Sequence, residues 1–360
     1  MNSRHFFEGI ITKENNSLLA KIIRGILTPL SWIYELAHII YFIPYKLKIR
    51  KKYRAYIPVI SVGNITMGGT GKTPFVCTLT NIIKDMGLKP VIISRGYGRK
   101  SKKPYILMPN TQVSTDITGD EPQTLSKALN IPIIIGKNRC VSVELSKELN
   151  PDIIILDDGM QYWQLEKDIE IVVANAHKPL GGGTTLPAGD LRENKNALKR
   201  AQFIILNNSI NLSKEEQEES IAKTKSIAPN SSIFIGTIKP TSISFNNKNF
   251  DISILENKNA TVFSGIANPN RFTETLKQIK VNILKFIEFI DHHNYNTTDI
   301  EKIIKIAKDN HSDYIITTTK DIVKISNCPE NLGVLNITME IEEDNFKKQL
   351  HTHISNLLKK

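Results

Sequence analysis

The chain has 360 residues, 40% hydrophobic and 23% charged, enough for one large or two ordinary globular domains with a real core. That excludes a disordered tail, a collagen-like repeat and a disulfide-stapled mini-protein. The net charge of +11 is uneven: residues 1–60 hold ten Lys or Arg against three Asp or Glu, and the remainder holds 37 against 33. A protein gripping nucleic acid over its body would spread its basic charge, so no nucleic-acid partner is expected; an anionic surface near the N-terminus is. Cys77, Cys140 and Cys328 are too sparse for a disulfide framework and suit a reducing cytoplasm.

From Leu18 to Tyr41 apolar residues recur at helical spacing, among them Leu19, Ile22, Ile26, Leu30, Ile33 and Ile40. An opposed stripe holds Lys21, Arg24, Thr28, Ser31, Glu35 and His38, so an amphipathic helix is expected. Lys46, Lys48, Arg50, Lys51, Lys52 and Arg54 follow it, with Trp32, Tyr41 and Tyr45 as interface anchors. A cleaved signal peptide lacks its small-residue cleavage site. A spanning helix would place Glu35 and His38 at costly depth. Residues 1–57 are therefore read as a helix lying on an anionic membrane surface plus a basic segment, the plain alternative being a helix docked on the protein's own core.

After Pro58 short apolar runs alternate with longer mixed segments. Strands are expected at Val59–Val62, Val91–Ser94, Ile131–Ile135, Ile153–Leu156, Ile169–Ala174 and Phe203–Leu206. Helices are expected between several of them, near Pro74–Asp85, Pro122–Leu129 and Asn138–Lys147. This is the pattern of an α/β fold with a largely parallel sheet and flanking helices. Residues 58–206 are read as a phosphate-loop core. Residues 207–260 read as a looser region. Further strands at Thr261–Ser264, Leu284–Phe289, Tyr314–Thr318 and Gly333–Thr338 make 207–360 a second, smaller α/β lobe, whose C-terminal helix could return to the first.

The strongest signal is Val59-Ile-Ser-Val-Gly-Asn-Ile-Thr-Met-Gly-Gly-Thr-Gly-Lys-Thr-Pro74. A strand leads into Thr66, Gly68, Gly69, Thr70 and Gly71, then Lys72, Thr73 and a helix. Small residues let backbone N–H groups wrap a polyphosphate, the lysine reaches terminal phosphates, and the Thr73 hydroxyl can ligate Mg²⁺. Thr66 stands where the full pattern has its first glycine. Ile153-Ile-Ile-Leu-Asp-Asp-Gly159 places Asp157 and Asp158 at the carboxyl end of a buried strand, where one carboxylate can hold Mg²⁺. Alone, it would read as an Asp-Gly turn. The guanine-reading set is missing, since Thr318-Thr-Lys-Asp321 has the wrong spacing, so ATP is the expected nucleotide.

Five further strings are unusual: Ser94-Arg-Gly-Tyr-Gly-Arg99, Gly119-Asp-Glu-Pro122, Asp157-Asp-Gly-Met-Gln161, Leu186-Pro-Ala-Gly-Asp-Leu-Arg-Glu193 and Asp291-His-His-Asn-Tyr295. With the variant phosphate loop and the N-terminal helix, the chain from about Leu19 to Asp321 resembles the tetraacyldisaccharide 4′-kinases, the lipid A kinases of Gram-negative bacteria. The resemblance implies transfer of the ATP γ-phosphate to the 4′-hydroxyl of a lipid A disaccharide 1-phosphate, at the cytoplasmic face of the inner membrane. It implies Asp120 as general base paired with His292, Lys72 and Thr73 on the nucleotide, and Asp157 and Asp158 as the acidic pair. It puts Arg192 and Glu193 near metal and phosphates, and Arg139 and Gln161 at further polar positions. Arg95 and Arg99 could bind the acceptor's 1-phosphate, or belong to a solvated turn.

Local sequence gives Asp120 a competing role as helix N-cap, with proline in the first turn and Gln123 three residues on. Spacing does not say whether His292 or His293 faces the site. Gly181-Gly-Gly-Thr-Thr-Leu-Pro187 and Asp190 match the family pattern only loosely. The other functions the sequence could carry are a membrane-associated ATPase switch with a protein partner and, weakly, a nucleic-acid-binding ATPase.

Overall fold

The computed structural model describes residues 3–359, except 110, 112, 209–211, 247, 326–327 and 342–343. The chain opens with α1 (Ser3–Ile11) and the long α2 (Leu18–Lys46), whose first turn is capped by Ser17. Arg24 Nη1 donates to the carbonyls of Ile10 and Asn15 at 3.0 and 2.9 Å, tying the two helices together. The expected stripes are present, but the polar one faces inward. Ser31 is buried, with Arg24, Thr28, Glu35 and His38 half-buried beside it. Leu19, Ile22, Ile26, Leu30, Ile33, Leu36 and Ile40 are exposed.

Strand β1 (Val59–Gly63) leads through the phosphate loop into α3 (Lys72–Asp85) and β2 (Pro90–Ser94). Next come β3 (Tyr105–Leu107), α4 (Thr115–Thr118), α5 (Asp120–Leu129), β4 (Ile133–Ile135), α6 (Arg139–Ser146) and β5 (Ile153–Asp157). β6 (Ile169–Asn175) and β7 (Phe203–Asn207) complete the first half. The second half runs α7 (Lys214–Ile227), β8 (Ser232–Phe245), β9 (Lys248–Asp251), β10 (Asn259–Ser264), α8 (Pro269–Gln278) and β11 (Asn282–Glu288). It ends with α9 (Thr297–Asp309), β12 (Tyr314–Thr318), α10 (Thr319–Ile322), β13 (Leu332–Ile341) and α11 (Asp344–Leu358).

All the strands join one sheet in the order β11-β10-β12-β13-β8-β7-β6-β1-β5-β2-β4-β3, with β9 on β8. It is parallel except at the β3/β4, β8/β9 and β8/β13 pairs. β1 lies between β5 and β6, and the chain leaves it on opposite sides, so the loop after β1 opens into a crevice at the strands' carboxyl ends. Val62 is in register with Asp157, which sets the phosphate loop beside the acidic pair.

The expected strands of the first half are found within a residue or two, because they are continuous apolar runs buried on both faces. The region 207–260 is not loose. It holds α7 and the 14-residue β8, which pairs with β7 through Ser232–Gly236 and with β13 through Gly236–Phe245. Pro240 hid this strand in the sequence; it sits beside a shift of register between Asn336 and Ile337, where a missing ladder donor is tolerated.

The core does not divide at residue 207 either. Phe234 and, from α11, Phe346, Leu350 and Ile354 pack with Phe75, Phe203 and the α3–α5 face of the first half. Each such side chain contributes about 1.5–3 kcal/mol of burial. The C-terminal helix thus returns to the first lobe. The cluster around Val262, Phe272, Leu276 and Ile316 belongs to the second lobe alone.

Candidate active site

Geometry around the phosphate loop follows from its glycines. Gly68 and Gly71 have φ of 87° and 94°, which a side chain rarely adopts. Asn64 donates to the Thr66 carbonyl at 2.8 Å and Asn207 to the Thr70 carbonyl at 2.9 Å, so the loop is braced from both flanks. Gly71 immediately precedes α3, whose first turn has no side-chain cap, and Met67, Gly68 and Gly69 are exposed. A Cβ at Gly71 would collide with the Asn207 amide nitrogen and lie 2.9 Å from Met339 Cε. Gly71→Ala is therefore expected to lower stability by about 1–3 kcal/mol and to weaken nucleotide binding. Thermal unfolding and ATP titration check both.

Lys72 and the acidic strand end converge. Lys72 Nζ is 3.4 Å from Asp158 Oδ1, and Arg192 Nη1 donates to both oxygens of Asp158 at 3.0 and 2.9 Å. Burial works to raise the Asp158 carboxyl, but Lys72 and Arg192 outweigh it and hold it below its ordinary value. Asp157 is buried deeper. It accepts from Ser94 Oγ at 3.0 Å, and among the described residues no Lys or Arg pairs with it. Burial, then Glu121, then Asp158 push it up to about 7.

Asp120 is not the cap of α5. Gly119 holds the cap position with φ of 82°, and Asp120 is the first helical residue, its side chain facing His292 and Lys324. Its Oδ2 accepts from His292 Nδ1 at 2.9 Å and from Lys324 Nζ at 3.0 Å. The Lys324 side chain is only 3% exposed, and no motif marks it in the sequence. Burial tends to raise Asp120, but the His292 hydrogen bond and the Lys324 charge prevail and lower it. His292 moves up, chiefly through its bond to Asp120, with burial opposing and Asp291 assisting. His292 has φ of 61°, a strained conformation for a non-glycine residue, fixed by its N–H donating to the Gly265 carbonyl at 3.1 Å. His293 points elsewhere: it pairs with Asp299 at 2.9 Å and stacks on Phe289. The α10 segment supports both partners. Asp321 accepts from Gly265 N–H and Tyr295 OH on the histidine side, and Thr124 of α5 donates to the Thr319 carbonyl on the aspartate side.

Other expected site residues are occupied with the protein itself. Glu193, expected near metal, is gripped by Arg200 through both oxygens at 2.8 and 2.9 Å and accepts from Gln161. That leaves it a brace and not a ready metal ligand. Gln161 also donates to the Asn64 carbonyl, so it braces the loop as well. Arg99 donates to the carbonyls of Lys103 and Ile135, which makes it a pin for its own loop instead of a free phosphate contact. Arg139 is buried and donates to the Gly136 carbonyl, within electrostatic reach of Asp157 and Asp158. Arg95 is exposed. Asp190 holds the Gly182 N–H, closing the glycine-rich loop on itself.

A family model described as tetraacyldisaccharide-1-P 4′-kinase matches residues 23–355. The chain belongs to this kinase family. It is 34% identical over 334 residues to the tetraacyldisaccharide 4′-kinase of Halothermothrix orenii, covering 88% of this chain and 87% of the relative. It is 34% identical over 301 residues to the Haemophilus influenzae enzyme of the same name, covering 83% of each. The crystal structure of the Aquifex aeolicus family member, in complex with ATP, superposes with a TM-score of 0.77 at 29% identity, over 92% of this chain and 99% of that one. The chain is a kinase that phosphorylates the 4′-hydroxyl of tetraacyldisaccharide 1-phosphate in lipid A biosynthesis.

Proposed function

We propose that Asp120 is the general base of this kinase, with His292 and Lys324 orienting it through one oxygen. The observation that carries the reading is the shared Oδ2: the His292 imidazole and the Lys324 ammonium, at 2.9 and 3.0 Å, leave Oδ1 as the oxygen to receive a proton. The acceptor's 4′-hydroxyl oxygen forms the new bond to the γ-phosphorus of ATP, the bond to the β-bridging oxygen breaks, and the hydroxyl proton passes to Asp120 Oδ1. The loop 66–73 with Lys72 would hold the triphosphate, and Arg192 the charge beside Asp158.

Mg²⁺ fits the donors present. Asp157 and Thr73 supply hard oxygens, and Asp157, pushed up to about 7 with no paired Lys or Arg among the described residues, is the carboxyl a cation would relieve. Bound there, Mg²⁺ would neutralise phosphate charge. The two lobes, divided by function and not by core, would enclose acceptor and nucleotide between them, with Arg95 at the exposed edge.

The same reading places the enzyme on the cytoplasmic face of the inner membrane, with the exposed face of α2 in an anionic lipid surface. α2 is long and apolar enough to cross a bilayer, yet its polar side is packed against the protein along three turns, which supports a helix lying on the membrane. Labelled ATP, Mg²⁺ and detergent-dispersed lipid A disaccharide 1-phosphate should yield labelled lipid. ATP turnover without lipid product would instead favour the ATPase switch.

A further inference from the structure

The polar side of α2 does more than cover the body of the protein. Ser31 is 1% exposed; its Oγ donates to the Thr185 carbonyl at 2.9 Å and accepts from Ala188 N–H at 3.0 Å. One turn on, Tyr34 OH donates to the Arg192 carbonyl at 2.9 Å, and Glu35 accepts from Thr185 Oγ1 at 3.1 Å. Two turns further, Phe42 stacks on Trp163 at 5.0 Å and 14°, and Arg200 lies over the same indole at 4.4 Å. All these partners but Trp163 and Arg200 belong to one loop, residues 184–194.

That loop is hydrogen-bonded to the phosphate loop. Arg192 N–H donates to the Ile65 carbonyl and Met67 N–H to the Asp190 carbonyl, both at 2.7 Å. Its Arg192 side chain holds Asp158, which in turn faces Lys72. From the Tyr34 hydroxyl to the main chain entering the phosphate loop, at Ile65, there is a single intervening residue.

We propose that α2 is a working part of the nucleotide site, with Ser31 and Tyr34 as positioning residues that clamp loop 184–194 and, through Arg192, fix the phosphate loop and Asp158. The helix has two separable faces. The outer face, Ile22, Ile26 and Ile33, meets lipid; the inner face sets phosphate affinity. By linkage, bound nucleotide tightens the seat of the helix by the factor that the seat tightens nucleotide. The inference rests on the proposed phosphate role of Lys72 and Arg192, and deepens it.

The test uses the full chain in two variant sets. Tyr34→Phe and Ser31→Ala each remove a hydroxyl on the inner face; Ile22→Ser, Ile26→Ser and Ile33→Ser together blunt the outer face. ATP affinity is measured by calorimetry on the folded fraction, and membrane binding by flotation with vesicles of zwitterionic and anionic phospholipid. Inner-face variants should weaken ATP about fivefold to tenfold and lower kcat, with unchanged flotation and an unchanged KM for the lipid acceptor. The outer-face triple variant should lose flotation and keep wild-type ATP affinity. Inner-face variants binding ATP within twofold of wild type would overturn the proposal, as would an outer-face variant that weakens ATP equally. Failure of the wild type to phosphorylate the lipid would sink the functional reading instead, and the ATP measurements would still judge the clamp.

Discussion

Asp120→Asn should lower kcat by about 10³ while leaving the affinity for ATP within a factor of about two. The amide keeps the shape and position of the first residue of α5, so folding should survive, but it cannot accept the acceptor's proton. Steady-state kinetics with the lipid, beside ATP calorimetry, check both halves. The acid limb of the wild-type pH profile carries a second signature. Asp120 sits below its ordinary value because His292 and Lys324 favour its charged form. At saturating Mg²⁺ and ATP, which would hold Asp157 ionised, activity and the stability contributed by Asp120 should persist as pH falls and be lost as that lowered value is passed. Lys324→Met removes one cation and should move the acid limb of kcat/KM to higher pH. A limb that stays in place would remove Lys324 from the catalytic arrangement.

Lys72→Met should cost about 10² to 10³ in kcat/KM, with the loss shared between ATP binding and turnover. The lysine closes the loop and faces Asp158 at 3.4 Å. Its loss leaves Arg192 as the one direct ion-pair partner of Asp158 among the described residues, so the Asp158 carboxyl should rise toward its ordinary value. A variant with wild-type kcat/KM would show that the glycine-rich loop does not grip the transferred phosphate.

The parallel core was legible because its strands are apolar on both faces and its phosphate loop has few other uses. Asp157 and Asp158 stood out only beside that loop; alone, the string reads as an Asp-Gly turn, and what the structure adds is the register that sets Asp157 next to β1. The partners of these residues were not legible. Lys324 lies far along the chain from Asp120, and Arg200 captures Glu193 through tertiary placement, which no local spacing encodes. The choice between two adjacent histidines did have a local signal. Asn296 and Asp299 form a capping box at the start of α9, and Asp299 also takes His293, leaving His292 for the site. The two stripes of α2 were visible, but which one met the protein was not, since either an apolar or a hydrogen-bonding face can pack.

β8 belongs to both halves of the molecule, parallel to β7 at one end and antiparallel to β13 at the other. A flexible tether between the halves would let them swing apart about a point. A continuous strand, interrupted in its ladder only near Pro240, stores deformation along its length instead, like a leaf spring. Admission of a bulky acylated sugar then has to come from twisting that ribbon or from the loops at its rim, and each such excursion is opposed by a restoring force that returns His292 to Asp120.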